Sequence, residues 1–378
     1  MRKIFLMVAA AAAMLATSFT ACKSNPPEPP ELSNNIDIYV AGTDDSGSED
    51  AAKVWKNGKE LYALTDGSKD AAANSVFVVG GDVYTAGGES NGKNTIAKVW
   101  KNGKELYELT DGSNSAATYS VFVVGGDVYS SGFEDNGTNW VAKVWKNDNE
   151  LYALTDGSND ACAKSVFVAD DKVYTAGYGG GSVAKLWKNK SATDLTDGSK
   201  SASANSVFVA GSNVYVAGND GNIVKVWKKG SELFALTDGS KTANANSVFV
   251  VGEDVYTAGY ESNGTNWVAK VWKNKKAIFQ TDGTKEASAN SIYVVGEDIY
   301  VAGKEGKVAK VWKNKEELYE LADKGYAQSI VVHNGDVYVA GYETEGTNDV
   351  AKVWRNGKEL YSLADKSQAF SIFIVERK

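Results

Sequence analysis

The chain has 378 residues, of which 43% are hydrophobic and 23% charged, so it can bury a substantial core and is not disordered as a whole. A formal net charge of −8 argues against nucleic acid as a partner. With 2 Cys and 1 His, neither a disulfide scaffold nor a histidine-rich zinc centre can be built, and most enzyme readings weaken.

The chain opens with Arg2 and Lys3, followed by an uncharged apolar run over residues 4–15. This run is short for a membrane span and has the layout of a secretory signal peptide. It ends in Phe19-Thr20-Ala21-Cys22, which resembles a bacterial lipobox, with Phe19 where that motif usually has Leu. The resemblance implies removal of residues 1–21 and lipidation of Cys22 as the new N-terminus. The alternative is ordinary cleavage that leaves a spare thiol. All 4 Pro fall in the next stretch, at Pro26, Pro27, Pro29 and Pro30. Residues 22–34 therefore read as a lipidated Cys followed by an extended tether of roughly 3 Å per residue. No later segment is apolar and long enough to span a bilayer, so the membrane is met only through the N-terminal lipid.

From residue 35 onward one unit is repeated. The string Ala-Lys-Val-Trp-Lys-Asn, or a close variant, carries Trp55, Trp100, Trp145, Trp187, Trp227, Trp272, Trp312 and Trp354, at spacings of 40 to 45 residues. Each unit holds four short runs rich in Val, Tyr, Phe and Trp, as at residues 75–79, 82–87, 96–101 and 105–109. These are strands, uninterrupted by Pro and without helical periodicity. Asn57-Gly58, Asn102-Gly103 and Asn356-Gly357 are two-residue hairpin signals, as are Gly80-Gly81, Gly125-Gly126 and Asn334-Gly335. A direct hairpin register places Trp100 opposite Glu105, Val99 opposite Leu106 and Lys98 opposite Tyr107, with Lys98 and Glu105 diagonal on one face.

Four strands per repeat of this length predict an all-β, eight-bladed β-propeller of antiparallel blades over residues 35–378. The chain begins at a second strand near Asp37 and ends at a lone first strand, residues 371–375. Pairing of the two closes the ring and removes its open edges. The unit is distantly similar to kelch repeats, with Ala-Gly where kelch has Gly-Gly. As a whole the chain resembles the highly repetitive β-propeller lipoproteins of bacterial envelopes, a resemblance that implies an address in the cell envelope, on the periplasmic or surface side of the outer membrane, and carries no known activity with it.

Eight internal copies separate the common from the particular. The repeated Trp residues are packing devices, and the Lys two places before each is expected to pair with blade carboxylates. Cys162 is expected in a loop as an inert thiol. The Thr-Asp-Gly-Ser segments at Asp66, Asp111, Asp156, Asp197, Asp238 and Asp282 read as turns in which Asp bonds backbone amides; calcium is the competing use.

The copies differ most in the crossovers and in the loops between second and third strands, which share one face. These loops are long in blades one, two, three, six and eight. Blade three offers Phe133, Asn139 and Trp140; blade six Tyr260, Asn266 and Trp267; blade eight Tyr342 and Asn348; blade four Tyr178. Nearer the axis, the position before the first-strand Ser varies as Asn74, Tyr119, Lys164, Asn205, Asn246, Asn290, Gln328 and Phe370. Exposed aromatics among amides and carboxylates suit sugar rings, suit a protein partner equally, or cover neighbouring loops.

Three functions follow. A lipid-anchored binding module for a glycan or an envelope or host protein is favoured, as a monomer and without cofactor. A structural scaffold in an envelope complex is second. A lyase or glycosidase is third, because Glu134, Glu261 and Glu343 lie on different blades, and a non-enzymatic role is expected.

Overall fold

The computed structural model describes residues 35–377. The leader, Cys22 and the Pro-rich tether lie outside the described residues. The chain forms eight four-stranded antiparallel sheets arranged as the blades of a ring. Blade two is typical: an inner strand Ala71–Val79, then Asp82–Ser90, Thr95–Lys101 and an outer strand Lys104–Glu108.

The composition of each strand follows from its place. Second and third strands are covered on both faces by neighbouring blades and are buried almost throughout, whereas the outer strand keeps its charged residues in water. The core is accordingly a set of clusters lying between adjacent blades. Tyr39, Ala41 and Val54 of blade one, for example, pack with Val76, Val83 and Trp100 of blade two. All eight repeated Trp side chains are buried, with at most 3% exposure.

The axis is lined by aromatic rings from the inner strands. Phe77, Phe122, Phe167, Phe208, Phe249 and Tyr293 follow one another at centroid distances of 4.9 to 6.0 Å, and Phe373 closes on Phe77 at 5.1 Å. The eighth blade places Val331 at this level. The Ser that opens each inner-strand motif also has a structural task. Ser75 Oγ accepts the Val121 amide of the next blade at 3.3 Å, and the same bond recurs from Ser120 to Val166 and from Ser165 to Val207.

Closure occurs as expected, with longer strands than the sequence suggested. Ser367–Glu376 pairs with Ile36–Asp44 and forms the inner strand of blade one. The Arg377 amide donates to the Asn35 carbonyl at 2.7 Å, and the Arg377 guanidinium and Lys56 both pair with Asp37, at 2.7 and 2.8 Å. Burial alone would raise the Asp37 carboxyl; the hydrogen bonds from Lys56, Arg377 and Asn57 outweigh it and hold it at about 2.

Three sequence expectations need correction. Trp100 does face Glu105, but Val99 faces Tyr107 and Lys98 faces Glu108, because a β-bulge absorbs Leu106. Blade four, one residue shorter between its Trp and the following Leu, has no such bulge: Trp187 faces Ala192 and Lys185 faces Asp194 in regular register. Cys162 is in a strand rather than a loop; it opens Cys162–Ala169 and is buried. The long loop expected in blade eight is instead an extended hairpin, with Asp336–Glu345 and Asn348–Arg355 joined by Gly346 and Thr347 alone.

Candidate functional site on the upper face

The crossovers and the loops between second and third strands meet on one face, called here the upper face. In blade three the Asp135 amide donates to Ser115 O and the Ala161 amide to Trp140 O, both at 2.8 Å. Each Thr-Asp-Gly-Ser segment is a structural turn. Asp111 Oδ1 accepts the Ser113 amide at 2.8 Å, and Thr110 Oγ1 accepts the third-strand Ala97 amide at 3.2 Å. The equivalent Asp bond is present at Asp66, Asp156, Asp197, Asp238 and Asp282. Among the described residues no group of three or more His, Cys, Asp or Glu is placed to hold a metal ion.

The lysines two places before each Trp pair as the repeat suggested. Lys98 reaches Glu89 and Glu105 at 2.7 Å, Lys310 reaches Glu305 at 2.8 Å and Glu317 at 2.7 Å, and Lys352 reaches Glu343 at 2.6 Å and Glu359 at 2.9 Å. Burial pulls the Lys310 and Lys352 ammonium groups down, and their carboxylate partners outweigh it, so both lie above the usual lysine range. Glu134 and Glu261 are bound in the same way by Lys143 and Lys270. The three carboxylates considered for acid–base chemistry are therefore the counter-ions of structural lysines.

The aromatic residues form short stacks rather than one patch. In blade three Tyr119 stacks on Phe133 at 6.1 Å, and Phe133 on Trp140 at 4.3 Å. Phe133 is buried, while Tyr119 and Trp140 are 40% and 39% exposed. In blade six Tyr260 supports Trp267 at 4.8 Å, and Trp267 is 42% exposed. In blade eight the half-buried Tyr342 stacks on Tyr326 at 6.0 Å. Tyr178 is half-buried beneath the Lys164 ammonium, and Phe370 is half-buried in the closing strand.

The amides are divided between loop support and the surface. Asn139 and Asn266 donate to the Gly157 and Gly283 carbonyls at 3.1 Å, which ties each loop to its crossover turn. Asn348 is exposed at the start of its strand. The variable position nearest the axis is the bulge of each inner strand, as at Asn74 between Ala73 and Ser75. Asn74, Asn205, Asn246 and Asn290 use it to clip blades together, each amide donating to a carbonyl of the next blade at 2.8 to 3.0 Å. Tyr119, Lys164, Gln328 and Phe370 depart from that pattern.

A second variable layer was legible in the sequence only through its aromatic members, Phe133, Tyr178, Tyr260 and Tyr342. Directly above the bulge, a first-strand residue faces a second-strand residue in every blade. These pairs are Ala72–Gly88, Ala117–Phe133 and Cys162–Tyr178 in blades two to four. In blades five to seven they become Ser203–Asn219, Asn244–Tyr260 and Ser288–Lys304. One arc of the face is thus apolar and the other is polar. At the boundary lies a groove of about 300 Å³ lined by Lys164, Ser201, Ser203, Asn205, Asn219, Thr242, Asn244 and Tyr260. The readable signal was the residue after each Ala-Gly, compared across the eight copies.

No family model matches the chain, and no curated protein sequence does. Its fold is similar to that of the crystal structure of the computationally designed Ika8 protein, with a TM-score of 0.54 and 19% identity over 82% of this chain and 91% of that one. It is also similar to BamB from Moraxella catarrhalis, with a TM-score of 0.48 and 11% identity over 79% of this chain and 87% of that one. The WD40 β-propeller domain of Doa1 gives a TM-score of 0.45 and 16% identity over 72% of this chain and 90% of that one. At 19% identity the likeness to Ika8 concerns the fold alone, and the eight-bladed all-β propeller is read from the sheet topology itself.

Proposed function

We propose that the chain is an envelope-anchored binding module whose upper face holds carbohydrate. One observation carries this reading. Eight nearly identical blades part company on one face, and there Tyr119, Trp140 and Trp267 stand exposed on rings that support them from beneath. A ring held flat by stacking is a preorganised platform for the CH face of a sugar, and ordering it on binding costs little entropy. Amides and hydroxyls of the polar arc supply partners for sugar hydroxyls. Glu134, Glu261 and Glu343 are engaged with lysines, which favours binding over glycoside cleavage.

A glycan array probed with the purified chain and with its Trp140→Ala/Trp267→Ala variant tests the proposal. The variant is expected to lose its hits by about tenfold or more, while its stability falls by only about 1 kcal/mol per lost stack. Unchanged binding would overturn the reading, and a collapse in thermal stability would return both Trp residues to packing. A blank array from folded protein would instead favour a protein partner or a scaffold role.

The address is proposed from the leader and Cys22. Expression in a bacterial host with radiolabelled palmitate is expected to label the wild-type chain and leave Cys22→Ser unlabelled. The wild type is expected in the membrane fraction and the variant in the soluble one. Equal labelling of both would remove the lipid anchor from the proposal.

A further inference from the structure

We infer that the groove between blades four and six receives the carboxylate of an acidic sugar, with Lys164 as its counter-ion, an inference that rests on the reading of the upper face as a carbohydrate surface. Lys164 occupies the inner-strand bulge position of blade four, where four other blades carry Asn. Its Nζ donates to Asn205 Oδ1 at 2.9 Å and lies 5.5 Å from the centre of the Tyr178 ring. Among the described residues it makes no ion pair, in contrast to the lysines of the third strands. Burial lowers its proton affinity, and no carboxylate offsets that effect as one does at Lys310 and Lys352.

The surroundings of Lys164 are fixed by hydrogen bonds. Asn205 Oδ1 also accepts the Ser203 hydroxyl at 2.8 Å, and the Asn205 amide donates to Asn244 Oδ1 at 2.9 Å and to Ala245 O at 2.8 Å. Asn244 in turn donates to Asn246 Oδ1 at 3.0 Å. This relay holds Lys164 with one ammonium hydrogen engaged, leaving two for a ligand. No carboxylate lines the groove; beside Lys164 it presents hydroxyl and amide side chains and the Tyr260 ring, with Ala202, Ala243 and Gly221 between them. A half-buried ammonium without a counter-charge is unfavourable, and an anion seated beside it relieves that cost.

The groove lining narrows the class of anion. A single ammonium supplies one positive charge and no bidentate fork, which balances a carboxylate monoanion more closely than a phosphate dianion. Hydroxyls, amides and one aromatic ring match the alcohols and CH face of a pyranose. The volume of about 300 Å³ lies at the lower end of small-ligand sites, suited to one or two sugar rings rather than a folded partner.

The probes are digalacturonic acid and its fully methyl-esterified form, which keeps the shape and removes the charge. Calorimetric titration of the purified chain is expected to show about tenfold tighter binding of the acid than of the ester, the ratio one charge-assisted hydrogen bond supplies. Lys164→Met keeps the aliphatic stem and is expected to bring the ratio to about one without lowering the melting midpoint. Equal binding of acid and ester by the wild type would overturn the inference, as would an acid preference that survives Lys164→Met. In either case, loss of both affinities in the Trp140/Trp267 variant would leave the broader carbohydrate reading standing. Absence of binding to both probes, with array hits confined to neutral glycans, overturns this inference alone; a blank array overturns both.

Discussion

Gly218→Ala is expected to destabilise the protein by about 3 kcal/mol, near the upper end of what adding one methyl group to a packed core costs. The backbone at Gly218 lies outside the left-handed region, so alanine could adopt it; the obstacle is space. A Cβ there would stand 2.0 Å from the Ser203 carbonyl oxygen. The inner-strand bulge at Asn205 turns that carbonyl onto the second strand. The same contact recurs at Gly42, Gly87, Gly132, Gly177, Gly259, Gly303 and Gly341, at 1.8 to 2.0 Å from the equivalent oxygen, so every blade needs a glycine there. Relief would require the bulge to move, and with it the Asn205 bonds to blade six. Gly211→Ala is the control. Gly211 has φ +57° in an open hairpin with nothing near its virtual Cβ, so the change should cost only roughly 1 kcal/mol of backbone strain. Urea unfolding of the two variants compares them directly. If Gly218→Ala costs no more than Gly211→Ala, close approach to the bulge is not what selects glycine.

That glycine shows how far the repeat can be read. Its recurrence after Ala, or after Ser131 in blade three, is plain in the sequence. Its cause is not, because the bulge at Asn205 changes the pairing of Ala204 and Ser206 without leaving a marker in composition. The outer-strand bulge was missed for a related reason. Leu106 and Tyr107 are both apolar and both partly buried, so either could face Val99, and alternation does not choose between them. Blade four carries the missing clue, since a single-residue deletion there restores a regular register. The eight blades, the ring closure and the burial of the repeated Trp were legible because each depends on a pattern repeated many times. The groove depends on side chains from blades four, five and six, each present once, so no repetition points to it. Lys164 could be singled out as a departure from Asn, but that it has no ion-pair partner emerges only when the neighbouring blade is in place.

The division of labour within one repeat also limits where function can sit. Ser, Gly, Trp, Lys and Asp of the repeat are each committed to a defined contact: inter-blade bond, close approach, core, ion pair and turn. The Ser and Trp contacts cross to the neighbouring blade, whereas the Lys pairs and Asp turns act within their own. The positions free to vary are those whose side chains emerge on the upper face, after the recurrent Gly and at the bulges that carry no inter-blade Asn. A ligand surface can therefore be altered at these positions with the ring left intact, which is why the asymmetric residues are the ones proposed for binding.

Removal of residues 366–378 is expected to have the largest effect of all, because the ring has one seam. The strand Ser367–Glu376 supplies the whole inner edge of blade one. Its loss takes Ala369 and Ile372 out of the core, opens the axial collar at Phe373, and leaves the Val76 amide without the Ser371 hydroxyl. It also exposes the full edge of Ile36–Asp44, an apolar strand with unpaired backbone groups that can recruit another chain. The combined cost is roughly 5 kcal/mol or more, comparable with the whole stability of many domains. The truncated chain is expected to lose its cooperative thermal transition and to elute as aggregate in size-exclusion chromatography. A synthetic peptide of residues 366–378 added during refolding should restore a monomeric elution volume, because the seam is made by side chains and backbone pairing rather than by continuity of the chain. A truncated protein that remains monomeric with an unchanged melting midpoint would show that blade one stands without its last strand. Rescue by the peptide but not by its Phe373→Ala form would place the decisive contact in the axial collar rather than in the backbone ladder alone.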